Sequence, residues 1–239
     1  MIRFEHVSKN FSGHSSALSD ITVEIKDGEF VFLIGPSGAG KTTFLRLLIR
    51  DQLPSEGKVF VDDWEIGTLH KSRIHLLRRK IGMVFQDFKL LMDRTVYENV
   101  ALGLDILGKK QEEIDKRVLE VLDLVGLSDK HNLFPLQLAA GEMQRTGIAR
   151  AIVGAPSILL ADEPTGNLDQ QTASDILTIF QQINSLGTTV IMATHNAGIV
   201  NDLKKRTIAL KKGVMVSDEE KGRYRVSPKV KEKKSHEDD

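Results

Sequence analysis

Residues 35–42 read Gly35-Pro36-Ser37-Gly38-Ala39-Gly40-Lys41-Thr42 and fit the pattern G-x-x-x-x-G-K-[ST]. This pattern is typical of a loop that binds nucleotide phosphates, because its glycines let backbone N–H groups converge on phosphate oxygens. The apolar run at 30–34 predicts a buried parallel strand before the loop, and residues 43–50 predict a helix after it. The N-terminus of such a helix favours an anion through its dipole. The stretch and its context therefore predict nucleotide binding.

Two side chains of this loop have roles that follow from the motif. Lys41 is expected to reach the β- and γ-phosphates, and the Thr42 hydroxyl is expected to ligate Mg²⁺. The predicted nucleotide contacts in this region are Gly35, Pro36, Ser37, Gly38, Ala39, Gly40, Lys41, Thr42 and Thr43.

Composition is that of a globular protein. The 239 residues suffice for one large domain or two small ones, with 28% of them charged and 41% hydrophobic. Lys+Arg and Asp+Glu are equal at 33 each, so net charge gives no reason to expect a nucleic acid partner. The lack of cysteine excludes disulfides and thiolate metal sites. No signal peptide is visible and no apolar run nears the ~20 residues of a membrane span, which predicts a soluble chain that works at a membrane only through a partner.

Strand and helix patterns alternate along the chain. Strands are predicted in residues 1–30 around a turn at 12–16, and at 57–61, 81–85, 157–163, 188–193, 207–210 and 214–216. Helices are predicted within 95–154, where one face carries Ile114, Val118, Val121, Leu122 and Val125, and at about 171–185. This order indicates an α/β protein whose parallel sheet binds ligands at its C-terminal edge, with helices inserted between strands. Beyond about 221 the chain is highly charged and is expected to lack fixed structure.

Polar residues follow three of the predicted strands. Gln86 ends one, the pair Asp162 and Glu163 ends a second, and His195 ends a third. Gln86 or His195 taken alone is more often structural, and paired acids alone are more often part of a solvated loop. Together with the phosphate-binding loop they indicate a phosphoryl-transfer site. There, Asp162 would position Mg²⁺ and Glu163 would orient or deprotonate the attacking water.

The order of these segments resembles the ATP-binding-cassette (ABC) ATPases over residues 1 to about 218. The similar motifs are Walker A at Gly35–Thr42, Walker B with its glutamate at Ile158–Glu163, the Q-loop at Gln86, the D-loop at Gly166-Asn167-Leu168-Asp169 and the switch histidine at His195. Phe11 would be assigned to the core from the sequence alone. It falls, however, where the family places an aromatic ring that stacks on adenine.

The resemblance implies a P-loop NTPase (RecA-like) core with an antiparallel β-subdomain and an α-helical subdomain inserted at about 87–154. An ABC ATPase domain would span 1–220, followed by the charged tail at 221–239. The implied activity is Mg²⁺-dependent ATP hydrolysis by a homodimer that forms on ATP binding. Catalytic roles fall to Glu163, His195 and Gln86, Mg²⁺ ligation to Thr42, Gln86 and Asp162, and a further nucleotide contact to Asp169.

One motif departs from the family pattern. The signature loop usually reads L-S-G-G-[QE], and here the matching residues are Leu138-Ala139-Ala140-Gly141-Glu142. On the resemblance, Ala139, Ala140, Gly141 and Glu142 would contact ATP held by the opposite copy. Ala139 lacks the hydroxyl that would bond a phosphate oxygen, and Ala140 adds a methyl group where glycine allows close approach. A hydrogen bond to a charged group contributes roughly 1.5–3 kcal/mol, so dimer closure is expected to be weakened about ten-fold or more but not abolished.

The segment at 88–100 is most similar to the family members that serve bacterial cell division. This similarity implies an integral-membrane partner on a groove near Gln86 and that segment, and a place on the cytoplasmic face of the inner membrane. Two alternatives stay open: the ATPase of a lipoprotein-release or macrolide-type export complex, and an ATP-binding switch with very low turnover. A GTPase is disfavoured, because no Asn-Lys or Thr-Lys dipeptide begins a guanine-reading motif.

Overall fold

A computed structural model describes residues 1–11 and 15–226. The strands in these ranges are β1 Ile2–Phe11, β2 Ser15–Ile25, β3 Phe30–Ile34, β4 Glu56–Val61, β5 Trp64–Glu65, β6 Ile81–Val84, β7 Ile158–Asp162, β8 Thr189–Thr194, β9 Arg206–Lys211 and β10 Val214–Glu219. The helices there are α1 Lys41–Leu48, α2 Ile74–Arg79, α3 Val96–Ile106, α4 Gln111–Leu124, α5 Ala140–Ile152, α6 Gln170–Ser185 and α7 Ala197–Leu203. None of the helices in the described ranges has both the length and the apolar character needed to cross a membrane.

The larger sheet carries the phosphate-binding loop. Its strand order is β10-β9-β3-β8-β7-β6, in which β10 forms an antiparallel hairpin with β9 and the other neighbouring pairs are parallel. β3 lies between β8 and β9, and all five of its residues are buried. Because β3, β6, β7 and β8 are parallel, the segments that follow them meet at one edge of the sheet. The predicted α/β fold with a parallel sheet is confirmed.

The smaller sheet is antiparallel and has the order β2-β1-β4-β5. β1 pairs with β2 through Ile2 and Ile25, and with β4 through Ile2 and Val61. Its apolar face packs on α1, where the Phe4 and Phe44 rings stack with centroids 4.1 Å apart. The helix that begins in the phosphate-binding loop is therefore held between the two sheets.

Helices α3, α4 and α5 occupy the chain between β6 and β7. The apolar face of α4 is buried as its spacing predicts, and Val118 and Leu122 have no exposed surface. Arg117 of α4 donates a hydrogen bond to the Val153 carbonyl (3.2 Å) just beyond α5. This is the segment predicted as a helical subdomain at about 87–154. The division of the chain into that subdomain, a domain at 1–220 and a tail stays a prediction.

Three features were not predicted. They are the short strand β5, the helix α7 and the packing of residues 220–226. In this last segment, a Cβ placed on the buried Gly222 would lie 2.4 Å from the Thr207 Cβ, so the chain lies directly on β9. The predicted turn at 12–16 falls partly outside the described residues, as do residues 227–239 of the predicted tail.

Candidate functional site

A cleft of about 740 Å³ lies at the C-terminal edge of the parallel sheet. Its lining combines the loop after β3 with residues that follow β6, β7 and β8, and with two positions from elsewhere in the chain. The lining residues are Ala17, Pro36, Ser37, Gly38, Ala39, Gly40, Lys41, Thr42, Thr43, Gln86, Asp162, Glu163, His195 and Tyr224. The structure thus brings together the predicted phosphate-binding loop and all four predicted strand-end residues.

Close packing against neighbouring backbone fixes the path of the phosphate-binding loop. Gly40 precedes α1 with φ 105°, and a Cβ there would lie 2.4 Å from the Ala17 carbonyl oxygen. At Gly35 a Cβ would lie 2.3 Å from the Leu210 carbonyl oxygen. A side chain at either position would displace β2 or β9, which explains why the tight loop carries glycine there.

Lys41 is nearly buried and its ammonium group points into the loop. Nζ donates hydrogen bonds to the Gly35 carbonyl (2.8 Å) and the Pro36 carbonyl (3.2 Å). It also lies 3.5 Å from Oε1 of Glu163, whose side chain is 18% exposed. The ammonium group is thus held at the centre of the cleft by acceptors of the protein itself.

Glu163 is turned into the cleft by its backbone. It follows β7 with a left-handed φ of 50°, and its N–H donates to the Ala193 carbonyl (2.9 Å) of β8. A left-handed conformation is uncommon for a residue with a side chain and often marks a functional position. Its second carboxylate oxygen, Oε2, lies 2.8 Å from Nδ1 of His195. The two carboxylate oxygens therefore face two different partners, Lys41 and His195.

Asp162, the last residue of β7, is partly buried. Burial raises the pKa of its carboxyl group, and the negative charge of Glu163 acts in the same direction, whereas a hydrogen bond from the Thr42 hydroxyl and the charge of Lys41 oppose the rise. A cation at this position would remove the cost of the buried charge.

The donor set fits Mg²⁺ bound together with a nucleotide. Mg²⁺ is usually held by one or two carboxylates plus substrate phosphates and water rather than by an all-protein cage. Here Asp162 supplies one partly buried carboxylate, the Thr42 hydroxyl lies against it, and Gln86 supplies an amide oxygen in the same cleft. The described residues contain no cluster of three or more acidic, histidine or cysteine side chains that would form such a cage.

The segment that follows Gln86 is held in an unusual conformation. Phe88 and Lys89 are consecutive residues with left-handed φ values of 57° and 50°. The Arg150 guanidinium of α5 donates to the carbonyls of both, at 2.8 Å for Phe88 and 2.6 Å for Lys89. One side chain of α5 therefore fixes the chain two residues beyond the cleft.

The predicted signature loop is not part of this cleft. Ala139 and Ala140 are exposed at the start of α5, and no side chain caps the helix there. Glu142 accepts from the Ala139 N–H (2.9 Å) and forms an ion pair with Lys130. A Cβ on Gly141 would lie 2.4 Å from Cγ2 of Thr172, so the start of α5 rests on α6.

Two further predicted contacts also lie outside the cleft lining. Phe11 is 41% exposed at the end of β1, and the Lys9 ammonium lies 5.2 Å from the centre of its ring. Phe11 is therefore not a core residue, which was the alternative that its sequence context first favoured. Asp169 caps α6, accepting from the Thr172 N–H (3.0 Å) and from its hydroxyl (2.5 Å).

Ala17 and Tyr224 line the cleft but were not predicted. Alanine has no functional group that a sequence motif could reveal, and Ala17 lies at the cleft because β2 approaches Gly40 closely. Tyr224 is one of two tyrosines in the chain and falls in a segment otherwise dominated by charge. Its aromatic ring, close after Gly222, is the one signal that would have distinguished this segment from a solvated tail.

Comparison with known proteins gives concordant matches. The family model described as "ABC transporter" matches residues 18–166. A curated relative from Bacillus subtilis named "Cell division ATP-binding protein FtsE" is 49% identical over 224 residues, covering 94% of this chain and 98% of the relative. Its namesake from Escherichia coli is 49% identical over 213 residues, covering 89% and 96%. Among solved structures, the dimeric post-hydrolysis state of the ATP-binding cassette MJ0796 bound to ADP and Pi matches with a TM-score of 0.84 and 35% identity, covering 93% of this chain and 99% of that one.

Proposed function

The chain belongs to the ABC transporter family, and we propose that it is the ATP-hydrolysing subunit of a membrane-associated complex that acts in bacterial cell division. The relatives that match nearly its whole length bear a cell-division, ATP-binding name. The observation that carries the catalytic part of the proposal is the convergence of Lys41, Glu163 and His195 in one cleft with the phosphate-binding loop.

In this proposal the residues of the cleft divide the work of hydrolysis. The loop amides and Lys41 bind the β- and γ-phosphates, so Lys41 leaves Glu163 when nucleotide enters. Oε1 of Glu163 then accepts a hydrogen bond from the attacking water, while His195 holds Oε2. Thr42, Asp162 and Gln86 would hold Mg²⁺, which neutralises charge on the phosphates. The products are ADP and phosphate.

The second half of each site comes, in this proposal, from a second copy. Ala139, Ala140 and Gly141 lie at the N-terminus of α5 outside their own cleft, where Ala139 and Ala140 are open to solvent. A helix N-terminus presents free N–H groups and a positive dipole end, which suit the γ-phosphate of the opposite copy. Adenine stacking by the exposed ring of Phe11 and a contact from Asp169 complete the proposed site. ATP would thus link the two copies, and hydrolysis would release them.

The proposed membrane partner binds a groove on the helical segment. This groove of about 300 Å³ is lined by Leu91, Arg94, Tyr97, Glu98, Ala101, Leu102, Asp105 and Gln111. Leu91 and the neighbouring Met92 are 40% and 46% exposed, whereas Phe88 and Leu90 are half-buried. The groove therefore offers apolar side chains within a charged rim, which suits a partner helix resembling the cytoplasmic part of FtsX. Such a partner would place the chain on the cytoplasmic face of the inner membrane.

Substitution of Glu163 tests the catalytic part of the proposal. The variant Glu163→Gln keeps the shape of the side chain but removes its charge, so we expect ATP to bind while single-turnover hydrolysis falls by at least ~100-fold. Glu24→Gln is the matched control, because Glu24 is exposed on β2 away from the cleft lining. Hydrolysis by Glu163→Gln at the rate of an active control would refute the assignment of Glu163. Negligible hydrolysis by the control itself would favour a binding switch with little turnover.

Co-purification tests whether the groove binds the proposed membrane partner. Leu91→Glu introduces a charge into the groove and is expected to prevent recovery of the chain with its membrane partner, whereas Leu186→Glu, a charge at the exposed end of α6, is expected to retain it. A division-type partner would support the proposal, and an exporter subunit would place the chain in an export complex instead.

A further inference from the structure

Through Tyr224, the segment 220–226 reaches the cleft that also contains the strand-end residues Gln86, Asp162, Glu163 and His195. Gly222 is buried on β9, and its N–H donates to the Lys205 carbonyl (3.1 Å). The Tyr224 N–H donates to the side-chain carbonyl of Asn201 in α7 (3.0 Å). Two backbone hydrogen bonds, one from Gly222 to the loop before β9 and one from Tyr224 itself to α7, therefore hold this segment in place.

The Tyr224 side chain is half-buried and lines the cleft together with Glu163, His195 and Lys41. Its ring packs partly on the hydrophobic core that includes Val200. Burial raises the pKa of the Tyr224 hydroxyl, and the negative charge of Glu163 raises it further. The hydroxyl is therefore protonated at neutral pH and keeps a proton to donate. No group in residues 1–11 and 15–226 forms a hydrogen bond with the Tyr224 hydroxyl.

Glu163 needs a new partner once nucleotide binds. Oε2 faces His195 at 2.8 Å and Oε1 faces Lys41 at 3.5 Å. Under the proposed function, Lys41 turns to the phosphates and the carboxylate loses that cation. A carboxylate held by His195 alone would remain free to rotate. A misplaced general base lowers the rate of hydrolysis even when ATP binding is unchanged.

We propose that Tyr224 is a positioning residue for hydrolysis, whose hydroxyl donates to the Glu163 carboxylate when Lys41 engages the phosphates of ATP. The inference rests on the proposed function, since it assigns a helper to the same general base. It makes residues 220–226 part of the catalytic apparatus. It also links the position of Glu163 to α7, the helix that directly follows His195.

The test removes the hydroxyl and keeps the ring. In Tyr224→Phe we expect single-turnover hydrolysis to slow about ten-fold, because a hydrogen bond to a charged group is lost. The dissociation constant for ATP and the melting temperature should stay within error of the unmodified chain. Ser185→Ala is the matched control for hydroxyl removal, since Ser185 is exposed at the end of α6 and bonds only within that helix. An unchanged rate, or weaker ATP binding at an unchanged rate, would overturn the proposal.

A double-variant comparison separates positioning from general damage. Asn201→Ala removes the anchor of the Tyr224 backbone and should slow hydrolysis in the unmodified chain but add nothing in the Tyr224→Phe background. Equal slowing in both backgrounds would show that Asn201 acts independently of Tyr224 and would also count against the proposal. Glu163→Gln is measured alongside. If it hydrolyses normally the proposed function itself fails, whereas a normal Tyr224→Phe beside an inactive Glu163→Gln removes only the role of Tyr224.

Discussion

Restoring a serine at position 139 should strengthen both the helix and the proposed dimer. Ala139 already has the extended conformation of a helix N-cap, with φ −67° and ψ 159°, and half of a capping box is present because Glu142 accepts from its N–H. A serine oxygen can accept from the Glu142 N–H and complete the box. Such a cap is worth typically about 1 kcal/mol, which raises the melting temperature of a chain of this size by roughly 2–4 °C.

The effect of Ala139→Ser on closure is larger than its effect on the single chain. If the same hydroxyl also bonds a phosphate oxygen of the opposite copy, the gain of roughly 1.5–3 kcal/mol tightens ATP-dependent dimerisation about ten-fold or more. Sedimentation equilibrium in the Glu163→Gln background, with Mg²⁺ and ATP, measures this gain without hydrolysis. Thermal unfolding of the monomer measures the cap alone.

The melting temperature and the dimerisation constant separate the effect of the helix cap from the effect of a phosphate contact. A higher melting temperature with unchanged dimerisation would show that the serine caps α5 but contacts no phosphate, which would refute the idea that Ala139 weakens closure. Ala140→Gly gives a second check, because glycine at the first helical position lowers stability by less than ~1 kcal/mol while removing the methyl group from the interface. Ala155→Ser, exposed beyond the end of α5, controls for the added hydroxyl.

Three other perturbations concern the phosphate-binding loop, the segment after Gln86 and the start of α5. Gly40→Ala should abolish ATP binding, measured by calorimetry, because its Cβ would lie 2.4 Å from the Ala17 carbonyl oxygen; binding at normal affinity would contradict this. Arg150→Ala removes two hydrogen bonds from left-handed backbone and should lower the free energy of unfolding by roughly 2–4 kcal/mol, whereas a change under ~0.5 kcal/mol in denaturant titration would refute it. The Lys130 hydrogen bond lowers the pKa of Glu142, so this contact stabilises the folded chain fully above the pKa that Glu142 has in the unfolded chain. The stabilisation is lost as pH falls through the lower pKa of the folded chain. Glu142→Gln should flatten this acid limb, and an unchanged pH dependence of stability would contradict it.

The spacing of apolar residues along the chain predicted which faces of the strands and helices are buried. The continuous apolar run of β3 indicated a strand buried on both faces, and the spacing of Val118 and Leu122 indicated the buried face of α4. The chemistry of the phosphate-binding loop indicated the strand ends that share its edge, since parallel strands bring their C-terminal ends together. For β3 and α4 the signal lay within the element that it predicted.

The features that the sequence did not reveal depend on distant contacts. α7 has seven residues, too few for a helical period to stand out, and it begins where the Asn196 side chain accepts from two N–H groups. The exposure of Phe11 depends on how β1 pairs with its neighbours. Tyr224 reaches the cleft only because Gly222 fits on Thr207, a contact that no local pattern encodes. The pairing of Lys41 with Glu163 was likewise not predicted, because the motif describes each as a partner of the nucleotide.

That pairing means that the chain itself carries an anion that competes with phosphate for Lys41. The carboxylate of Glu163, tethered 3.5 Å from the Lys41 ammonium, acts at an effective concentration set by the fold and not by the solution. A lone phosphate or sulfate ion must displace it with few other contacts in return. In the proposed function, ATP offers a triphosphate to the loop amides and an adenine to Phe11, and these additional contacts would offset the loss of the ion pair. We therefore expect the Lys41–Glu163 ion pair to weaken the binding of small anions more than it weakens the binding of ATP.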